Sequence, residues 1–212
     1  MAVIGVVGGS GGVGASSFAA VLAWVSRAVL IDLDAVGGGI DVLLGIEAVP
    51  GARWSALRLG GGVLDPALLC AGLPRWGPVP VLAADVTVNP HAQEVVSAAS
   101  RAGPVVLDLG RAASPVRDET AALCSLIVAV VGRDVRSLVA AQAVLTSLPD
   151  VPVGLVLTAG VVPVGQIRRF LSGPVLGVLR RPPGLSARGP SRAAARLATA
   201  IVTGAALTEL AS

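Results

Sequence analysis

Short runs of valine, isoleucine and leucine recur along the chain, with stretches of helical character between them. The runs are apolar throughout, a pattern typical of strands that helices cover on both faces of a parallel sheet. We predict strands at residues 3–7, 29–31, 79–82, 105–107, 126–131, 153–157 and 175–179. We predict helices at residues 14–26, 91–102, 115–123, 135–148, 164–171 and 191–210. The alternation predicts an α/β fold: a doubly wound, mostly parallel sheet with helices on both faces.

Two stretches depart from this alternation. Residues 37–77 hold glycine clusters at 37–39 and 60–62, and we expect short helices and loops there. Residues 180–190 are rich in proline, arginine and glycine, which predicts a surface loop before the last helix. The length of 212 residues fits a single domain that spans residues 1–212.

The chain is strongly apolar, with 54% hydrophobic residues and a mean hydropathy of +0.82. No charged residue precedes Arg27, which raises the question of a membrane span or a signal peptide. Six glycines between residues 5 and 14 interrupt that stretch and no basic residue opens it, so neither fits. We therefore expect a cytoplasmic protein. Because so much apolar surface must be covered, we also expect a homodimer or a complex with another protein.

The charges are unevenly distributed. All sixteen basic residues are arginines, and residues 151–212 hold seven of them against the single acid Glu209. Such an excess suits nucleic acid, anionic lipid or an acidic partner, although it is more often a solvated surface. A total of five aromatic residues argues against a surface that stacks nucleic-acid bases.

The clearest functional signal is a glycine-rich stretch between the first predicted strand and the first predicted helix. It consists of Gly9, Ser10, Gly11, Gly12, Val13, Gly14, Ala15, Ser16 and Ser17. Glycines let backbone N–H groups approach an anion closely, and the helix N-terminus adds a favourable dipole. We predict that these residues form a phosphate-binding loop for a nucleotide.

Two nucleotide chemistries compete for this loop. The stretch from Gly9 to Gly14 satisfies G-x-G-x-x-G, and Asp32 and Asp34 follow Gly14 by 18 and 20 residues. That is the spacing of a ribose-binding acid in an NAD(P)- or FAD-dependent oxidoreductase. The chain has no tyrosine and no lysine, so it lacks a Tyr–Lys proton relay. His91, the only histidine, falls at a predicted helix start and is better explained as a solvated or capping residue.

The other chemistry is a P-loop of the form G-x-x-x-x-G-K-[ST], which residues 9–16 match except that Ala15 replaces the lysine. Together with the stretch at 30–47 and the sequence Pro-Gly-Ala-Arg-Trp at 50–54, this loop resembles the MinD/ParA group of P-loop ATPases, of the SIMIBI class. The resemblance is closest to a degenerate branch that includes CpaE and TadZ pilus-localisation proteins and the actinobacterial septum-site-determining (Ssd) proteins. It covers nearly the whole chain, without the receiver-like domain that often precedes this one.

The resemblance implies roles for individual residues. The loop glycines would supply backbone amides to the phosphates of ATP or ADP. Ser16 matches the hydroxyl that binds Mg²⁺, and Asp32 and Asp108 match the acids near the metal. Asp34 matches the acid that orients the attacking water, which makes it the candidate catalytic residue.

The resemblance also shows what this chain lacks. Ser10 and Ala15 stand where the group has one lysine that reaches across a dimer and one that holds the β- and γ-phosphates. Thr158 stands where the group has an asparagine beside adenine. The nearest arginine in sequence is Arg27, so we expect no replacement cation at the loop. Because one lost donor at developing charge costs on the order of 10²–10³ in kcat, we expect hydrolysis to be almost absent.

The resemblance thus implies a regulator or scaffold that binds ATP or ADP with Mg²⁺ weakly. It would act through protein partners in septum-site determination during cell division or in localising a tight-adherence pilus machine. Two alternatives stay open: the dinucleotide-dependent oxidoreductase and a ParA-like, DNA-associated partitioning module. The latter would use arginines of the C-terminal third: Arg168, Arg169, Arg188, Arg192 and Arg196.

The last predicted helix carries apolar residues at helical spacing from Leu197 to Leu210. MinD has a membrane-binding tail at the corresponding end. The arginines of this helix are confined to its start, at Arg192 and Arg196, whereas membrane-surface helices usually carry cations along a whole face. We therefore expect this helix to close the core, with recruitment to the inner face of the membrane as the alternative.

Overall fold

The apolar runs of the sequence form a central sheet. The computed structural model describes residues 2–59, 64–85, 88, 90–180 and 183–204. The strands in these ranges are β1 (Val3–Gly8), β2 (Val29–Asp32), β3 (Arg75–Trp76), β4 (Val79–Leu82), β5 (Val105–Asp108), β6 (Leu126–Arg133), β7 (Val153–Gly160), β8 (Val175–Val178), β9 (Leu185–Ser186) and β10 (Gly189–Pro190). The main sheet has the order β3-β4-β2-β5-β1-β6-β7-β8, and only its edge strand β3 is antiparallel to its neighbour. The predicted mostly parallel sheet is confirmed.

Helices cover both faces of this sheet, which confirms the doubly wound fold. They are α1 (Ala15–Ser26), α2 (Ile40–Leu44), α3 (Pro66–Ala71), α4 (Ala92–Ala102), α5 (Pro115–Ala121), α6 (Val135–Thr146), α7 (Val164–Phe170) and α8 (Arg192–Val202), with a 3-10 turn at Trp54–Ala56. Buried residues of α1, α2 and α8 belong to the core on one face of the sheet. Those of α3 to α7 belong to the core on the other face.

The predicted elements differ from the observed ones mainly at their ends. The last helix stops at Val202, and Gly204 has a left-handed φ of 84°. The prediction that this helix continues without a break to residue 210 is therefore wrong at residues 203 and 204. Residues 205–210, which include Leu207 and Leu210, lie outside the described residues, as does the glycine cluster at 60–62. The predicted loop at 180–190 contains the short antiparallel hairpin of β9 and β10. The two strands pair through backbone hydrogen bonds across a tight turn, and amino-acid composition alone does not predict that pairing.

The three tryptophans connect the irregular segments to the core. The rings of Trp24 and Trp76 meet edge to face with centroids 4.6 Å apart, and Trp76 Nε1–H donates to the Ser186 carbonyl at 3.0 Å. Trp54 is buried, and its Nε1–H donates to the Asp32 carbonyl at 2.7 Å. All three side chains therefore pack within the protein, and each buried indole N–H has a partner.

The last helix closes the core, as expected. Ala194, Ala198 and Ile201 are buried in the core that α1 also joins. Within the described part of the chain, no helix is long and apolar enough to cross a membrane.

Candidate functional site

A cleft opens at the carboxyl edge of the sheet, where the loops after β1, β2 and β5 meet. These three strands are parallel neighbours in the order β2-β5-β1, so their carboxyl ends lie side by side. The cleft has a volume of about 500 Å³, which is within the range of small-molecule sites. Ligands of open α/β sheets bind at this edge, where the connections change direction.

The β1–α1 loop presents its backbone N–H groups to the cleft. Gly12 and Gly14 have φ values of 69° and 92°, a left-handed conformation that other residue types rarely adopt. Gly11 and Gly12 form a turn, and among the described residues no N–H group from Ser10 to Ser17 donates a short hydrogen bond to another backbone group. Those of the first turn of α1 are unpaired because a helix leaves its first N–H groups without internal partners. The loop therefore offers a set of donors to an anion.

Gly9 differs from the other predicted loop residues because the structure does not bring it to the cleft. Its N–H donates to the Val130 carbonyl at 2.8 Å. A Cβ at Gly9 would lie 2.7 Å from the Cβ of Ala141 on α6. The glycine is therefore required by close packing of the loop against α6 and not by a ligand.

Ser10 and Ala15 confirm that the loop itself carries no cationic side chain. Ser10 Oγ donates to Ser137 Oγ at 3.3 Å, and Ser137 Oγ donates to Asp134 at 2.6 Å. Asp134 caps α6 by accepting the Ser137 N–H at 2.9 Å. The position of one expected lysine is thus tied to the start of α6 by a hydroxyl network.

Asp32, at the end of β2, is buried and organises the β2–α2 loop. One carboxylate oxygen accepts the N–H of Asp34 at 3.0 Å. The other accepts the N–H groups of Ile40 at 3.1 Å and Ala84 at 3.3 Å. Burial raises the pKa of Asp32 to about 6, against the lowering effect of these hydrogen bonds. With both oxygens engaged by the backbone, Asp32 is better placed to position the loop than to bind a ligand directly.

Asp108, at the end of β5, lies in register with Asp32 on the neighbouring strand. Its side chain is buried, and the Ser16 hydroxyl on α1 lies close enough to lower the pKa of Asp108. Burial, together with the nearby charge of Asp32, raises the pKa of Asp108 to about 7. The structure therefore brings Ser16 and Asp108, two of the predicted metal residues, together.

Asp34, the predicted catalytic residue, lies half-buried on the wall of the cleft. One carboxylate oxygen accepts the N–H groups of Val36 at 3.2 Å and Gly37 at 3.1 Å. A Cβ at Gly110 would approach the Asp34 side chain at 3.1 Å, so this glycine lets the loops after β2 and β5 pack closely. The placement is compatible with the predicted role.

The residues present fit Mg²⁺ only together with other ligands. In the described ranges, no three His, Cys, Asp or Glu side chains form a group that could hold a metal ion. Magnesium usually keeps several waters and takes one or two carboxylates plus phosphate oxygens. Asp108 with the Ser16 hydroxyl matches that smaller protein contribution.

Two arginines that sequence reasoning missed belong to this region. Arg111 lines the cleft three residues after Asp108, so the expectation that no arginine lies near the loop is wrong in space, although correct in sequence. The sequence did contain a signal for Arg111, because this residue follows the predicted strand at 105–107. Loops after parallel strands meet at one edge of the sheet, so Arg111 could be expected near the glycine-rich loop.

The second, Arg117 on α5, is buried with 2% of its surface exposed. Its guanidinium donates to the carbonyls of Arg111 at 3.2 Å and Ser147 at 3.0 Å, and to the Asp118 carboxylate at 2.7 Å. Arg117 thus connects the loop after β5 to the end of α6.

We expect Arg117→Met to lower the free energy of unfolding by about 2–4 kcal/mol, because it leaves buried carbonyl groups without donors. Denaturant titration measures this change. The matched control is Arg169→Met, since Arg169 is exposed in the last turn of α7 and its replacement should cost little. Equal stability of the two variants would contradict the role assigned to Arg117.

The remaining predicted residues lie apart from the cleft. Thr158 is on β7 and is not among the described residues that line the cleft. His91 is exposed at the N-cap of α4, with Nδ1 3.2 Å from Glu94, which confirms the capping position.

The C-terminal arginines do not form one surface. Arg168 and Arg169 are on α7, and Arg192 and Arg196 are on α8, which packs on the opposite face of the sheet. Arg188 is exposed in the turn of the β9–β10 hairpin. This distribution does not favour a duplex-binding patch.

The topology also separates the two nucleotide chemistries. In a dinucleotide-binding sheet the first two strands are neighbours, so that the acid after the second can reach the ribose. Here β5 lies between β1 and β2. The acid at the end of β2 is therefore one strand further from the loop, and Asp32 is also engaged by the backbone. Both observations favour the P-loop.

Comparison with known proteins agrees with this topology. The chain matches no protein-family model. It is 36% identical over 198 residues to Uncharacterized protein Rv3660c of Mycobacterium tuberculosis H37Rv and equally to Uncharacterized protein MT3760 of strain CDC 1551 / Oshkosh. The match covers 87% of this chain and 56% of each relative, so the chain spans about half the length of these proteins.

Solved structures show the fold more directly. A ParA family ATPase of Chlorobium tepidum has a TM-score of 0.68 at 16% identity, over 85% of this chain and 84% of its own. MinD of Aquifex aeolicus in a MinC:MinD complex scores 0.62 at 18% identity, over 86% and 82%. MinD of Pyrococcus horikoshii complexed with Mg-ADP scores 0.57 at 16% identity, over 84% and 80%. The chain has the P-loop NTPase fold in its MinD/ParA form.

Proposed function

We propose that this protein is a regulator or scaffold of division or partition type whose cleft binds ATP or ADP with Mg²⁺ and hydrolyses ATP very slowly or not at all. The observation that carries the proposal is the β1–α1 loop: residues 10–17 line the cleft, and Ser10 and Ala15 stand at both lysine positions. Binding and turnover depend on different parts of such a site, so one can persist without the other.

The residues of the cleft divide the work of binding between them. The N–H groups of the loop and of the first turn of α1 donate to phosphate oxygens. Ser16 and Asp108 would hold Mg²⁺, which supplies charge neutralisation between the phosphates when bound. Asp32 holds the β2–α2 loop in place, and Asp34 lines the same cleft. MinD complexed with Mg-ADP supports this assignment for a shared fold.

The same proposal includes a protein partner. The MinC:MinD complex of Aquifex aeolicus is an example in which a protein of this fold assembles with another protein. Val42 and Leu43 are exposed apolar residues that line the cleft, and Val36 is exposed just before them in the chain; such side chains suit a protein contact at this edge. We propose that the chain acts as a homodimer or with a partner of the septum-site or pilus-localisation machinery, as in the CpaE and septum-site-determining branch, in the cytoplasm or at the inner face of the membrane.

Calorimetric titration with ATP, ADP and NAD in the presence of Mg²⁺, paired with a phosphate-release assay on the same sample, tests the proposal. We expect ATP and ADP to bind and phosphate release to stay near background. NAD binding without a response to ATP would overturn it in favour of the oxidoreductase. Turnover at the rate of ordinary ATPases, roughly 1 s⁻¹ or faster, would equally contradict it.

A further inference from the structure

One cation stands at the cleft although the loop carries none. Arg111 follows β5, and its guanidinium lies over Gly11: Nη2 is 3.5 Å from the point that a Cβ on Gly11 would occupy. Gly11 is exposed at the tip of the phosphate-binding loop. Arg111 and the loop residues line the same cleft, so the guanidinium stands beside the tip of the phosphate-binding loop.

The donors of Arg111 are available, unlike those of several other arginines of this chain. Arg53, Arg117 and Arg133 each donate to backbone carbonyls. Throughout the described ranges, the side chain of Arg111 makes no hydrogen bond or ion pair. A guanidinium with free donors at a site for anions can form a bidentate contact with a phosphate.

The backbone that carries Arg111 is held in position. Its carbonyl accepts from the buried Arg117 at 3.2 Å, and Ser114 caps α5 by accepting the Arg117 N–H at 3.1 Å. The exposed side chain thus extends from a backbone position that these hydrogen bonds hold. A fixed origin lowers the entropy lost when the side chain contacts a ligand.

The charge in the cleft requires such a cation. Asp32, Asp34 and Asp108 all line it, whereas Arg111 is the one basic residue among the described lining residues. A polyphosphate that enters the cleft meets acidic residues on the loops after β2 and β5, and like charges repel. Mg²⁺ bound next to Asp108 would offset this repulsion only at that end of the cleft. Arg111 stands at the other end of the phosphate-binding loop from Ser16.

We propose that Arg111 binds the terminal phosphate of a nucleoside di- or triphosphate and takes over the binding role of the absent lysines. The inference rests on the proposed function, because it names the residue that holds the nucleotide in the same cleft. It assigns Arg111 to affinity and to selection of polyphosphates over monophosphates.

The test compares wild type with Arg111→Ala, Arg111→Lys and the control Arg169→Ala by calorimetric titration with Mg-ATP, Mg-ADP, AMP and pyrophosphate. We expect Arg111→Ala to weaken ATP, ADP and pyrophosphate binding by roughly tenfold to a hundredfold and to leave AMP binding unchanged. Arg111→Lys should recover part of the loss, and Arg169→Ala should match wild type. Thermal unfolding of each variant checks folding, and we expect no shift for Arg111→Ala because its side chain is exposed.

The outcomes separate the two proposals. If wild type binds none of the four probes, the proposed nucleotide function fails, and this inference fails with it. If wild type binds ATP and Arg111→Ala binds it equally, the inference alone is overturned. An equal loss for AMP and ATP would also overturn it, since that result indicates a general effect on the cleft.

Discussion

Replacing Asp108 with asparagine should raise the free energy of unfolding by about 3 kcal/mol at about pH 8. Burial raises the pKa of this carboxyl from 3.8 to about 7, so the folded state holds its proton more tightly than the unfolded state. The cost of the buried charge is absent below about pH 4, grows as the pH rises between the two pKa values, and is complete above about pH 7. An asparagine carries no charge and removes that cost.

Denaturant titrations of both proteins between about pH 4 and pH 8 measure this difference. The stabilisation should vanish at the acid end, where the wild-type carboxyl is protonated in both states. A variant that is less stable than wild type at about pH 8 would show that the Asp108 charge is compensated by contacts we have not recognised.

Asp32→Asn is the matched comparison, and we expect it to act in the opposite direction. The Asp32 carboxylate accepts three backbone N–H groups, and an asparagine would present its own N–H₂ group to some of them. The unpaired donors should outweigh the relief of charge and lower the free energy of unfolding by about 1–3 kcal/mol. The two substitutions would then change stability in opposite directions, because three backbone N–H groups donate to Asp32, whereas the N–H of Gly110 alone among backbone groups favours the charged form of Asp108.

The second large effect should come from returning a cation to the loop. Ala15 is the first residue of α1, half-buried, and lines the cleft. We expect Ala15→Lys to tighten Mg-ATP binding by roughly tenfold to a hundredfold, because a lysine there adds charge-assisted hydrogen bonds to phosphate. Phosphate release should rise by a factor on the order of 10².

The control adds the same charge elsewhere. Ala187 is exposed in the turn of the β9–β10 hairpin, and Ala187→Lys should leave ATP affinity unchanged. Calorimetry and phosphate-release assays measure both variants, with thermal unfolding to verify the fold. Unchanged affinity in folded Ala15→Lys would contradict the placement of phosphate on this loop.

A stability cost at the cleft is consistent with a ligand site. Asp32 and Asp108 lie in register on the neighbouring strands β2 and β5; burial raises the pKa of both carboxyls, and the charge of Asp32 also raises that of Asp108. Perturbed acids in a cleft are more often found at functional sites than in structural cores. The cleft therefore lacks both lysines but keeps the acidic residues Asp32 and Asp108.

The strands and the loop could be predicted from sequence because local rules determine them. Fully apolar runs identify strands buried on both faces, and glycines between a strand and a helix identify an anion-binding turn. The helical spacing from Leu197 onward, however, continued to predict helix beyond Val202, where Gly204 with its positive φ ends it. The two-residue strand β3 escaped notice because Arg75–Trp76 is too short to carry a period.

The rest of the site depends on tertiary proximity that spacing does not contain. Arg111 lies 100 residues from Gly11 in sequence and beside it in space, because β5 pairs with β1. The sequence motif predicts that Asp32 is a metal ligand. In the structure its carboxylate instead accepts three backbone N–H groups, one of them from a residue 52 positions away, and the sequence spacing does not show this. Gly9 belongs to the glycine-rich motif but serves packing against α6.

The central claim is that the cleft holds ATP without hydrolysing it, and a single-turnover experiment tests it most directly. Protein in excess over radiolabelled ATP is incubated with Mg²⁺ under conditions where equilibrium dialysis shows the label to be bound, and samples are quenched over several hours. We expect the bound label to remain ATP. Conversion of bound ATP to ADP within minutes, or no bound label at any protein concentration, would contradict the account.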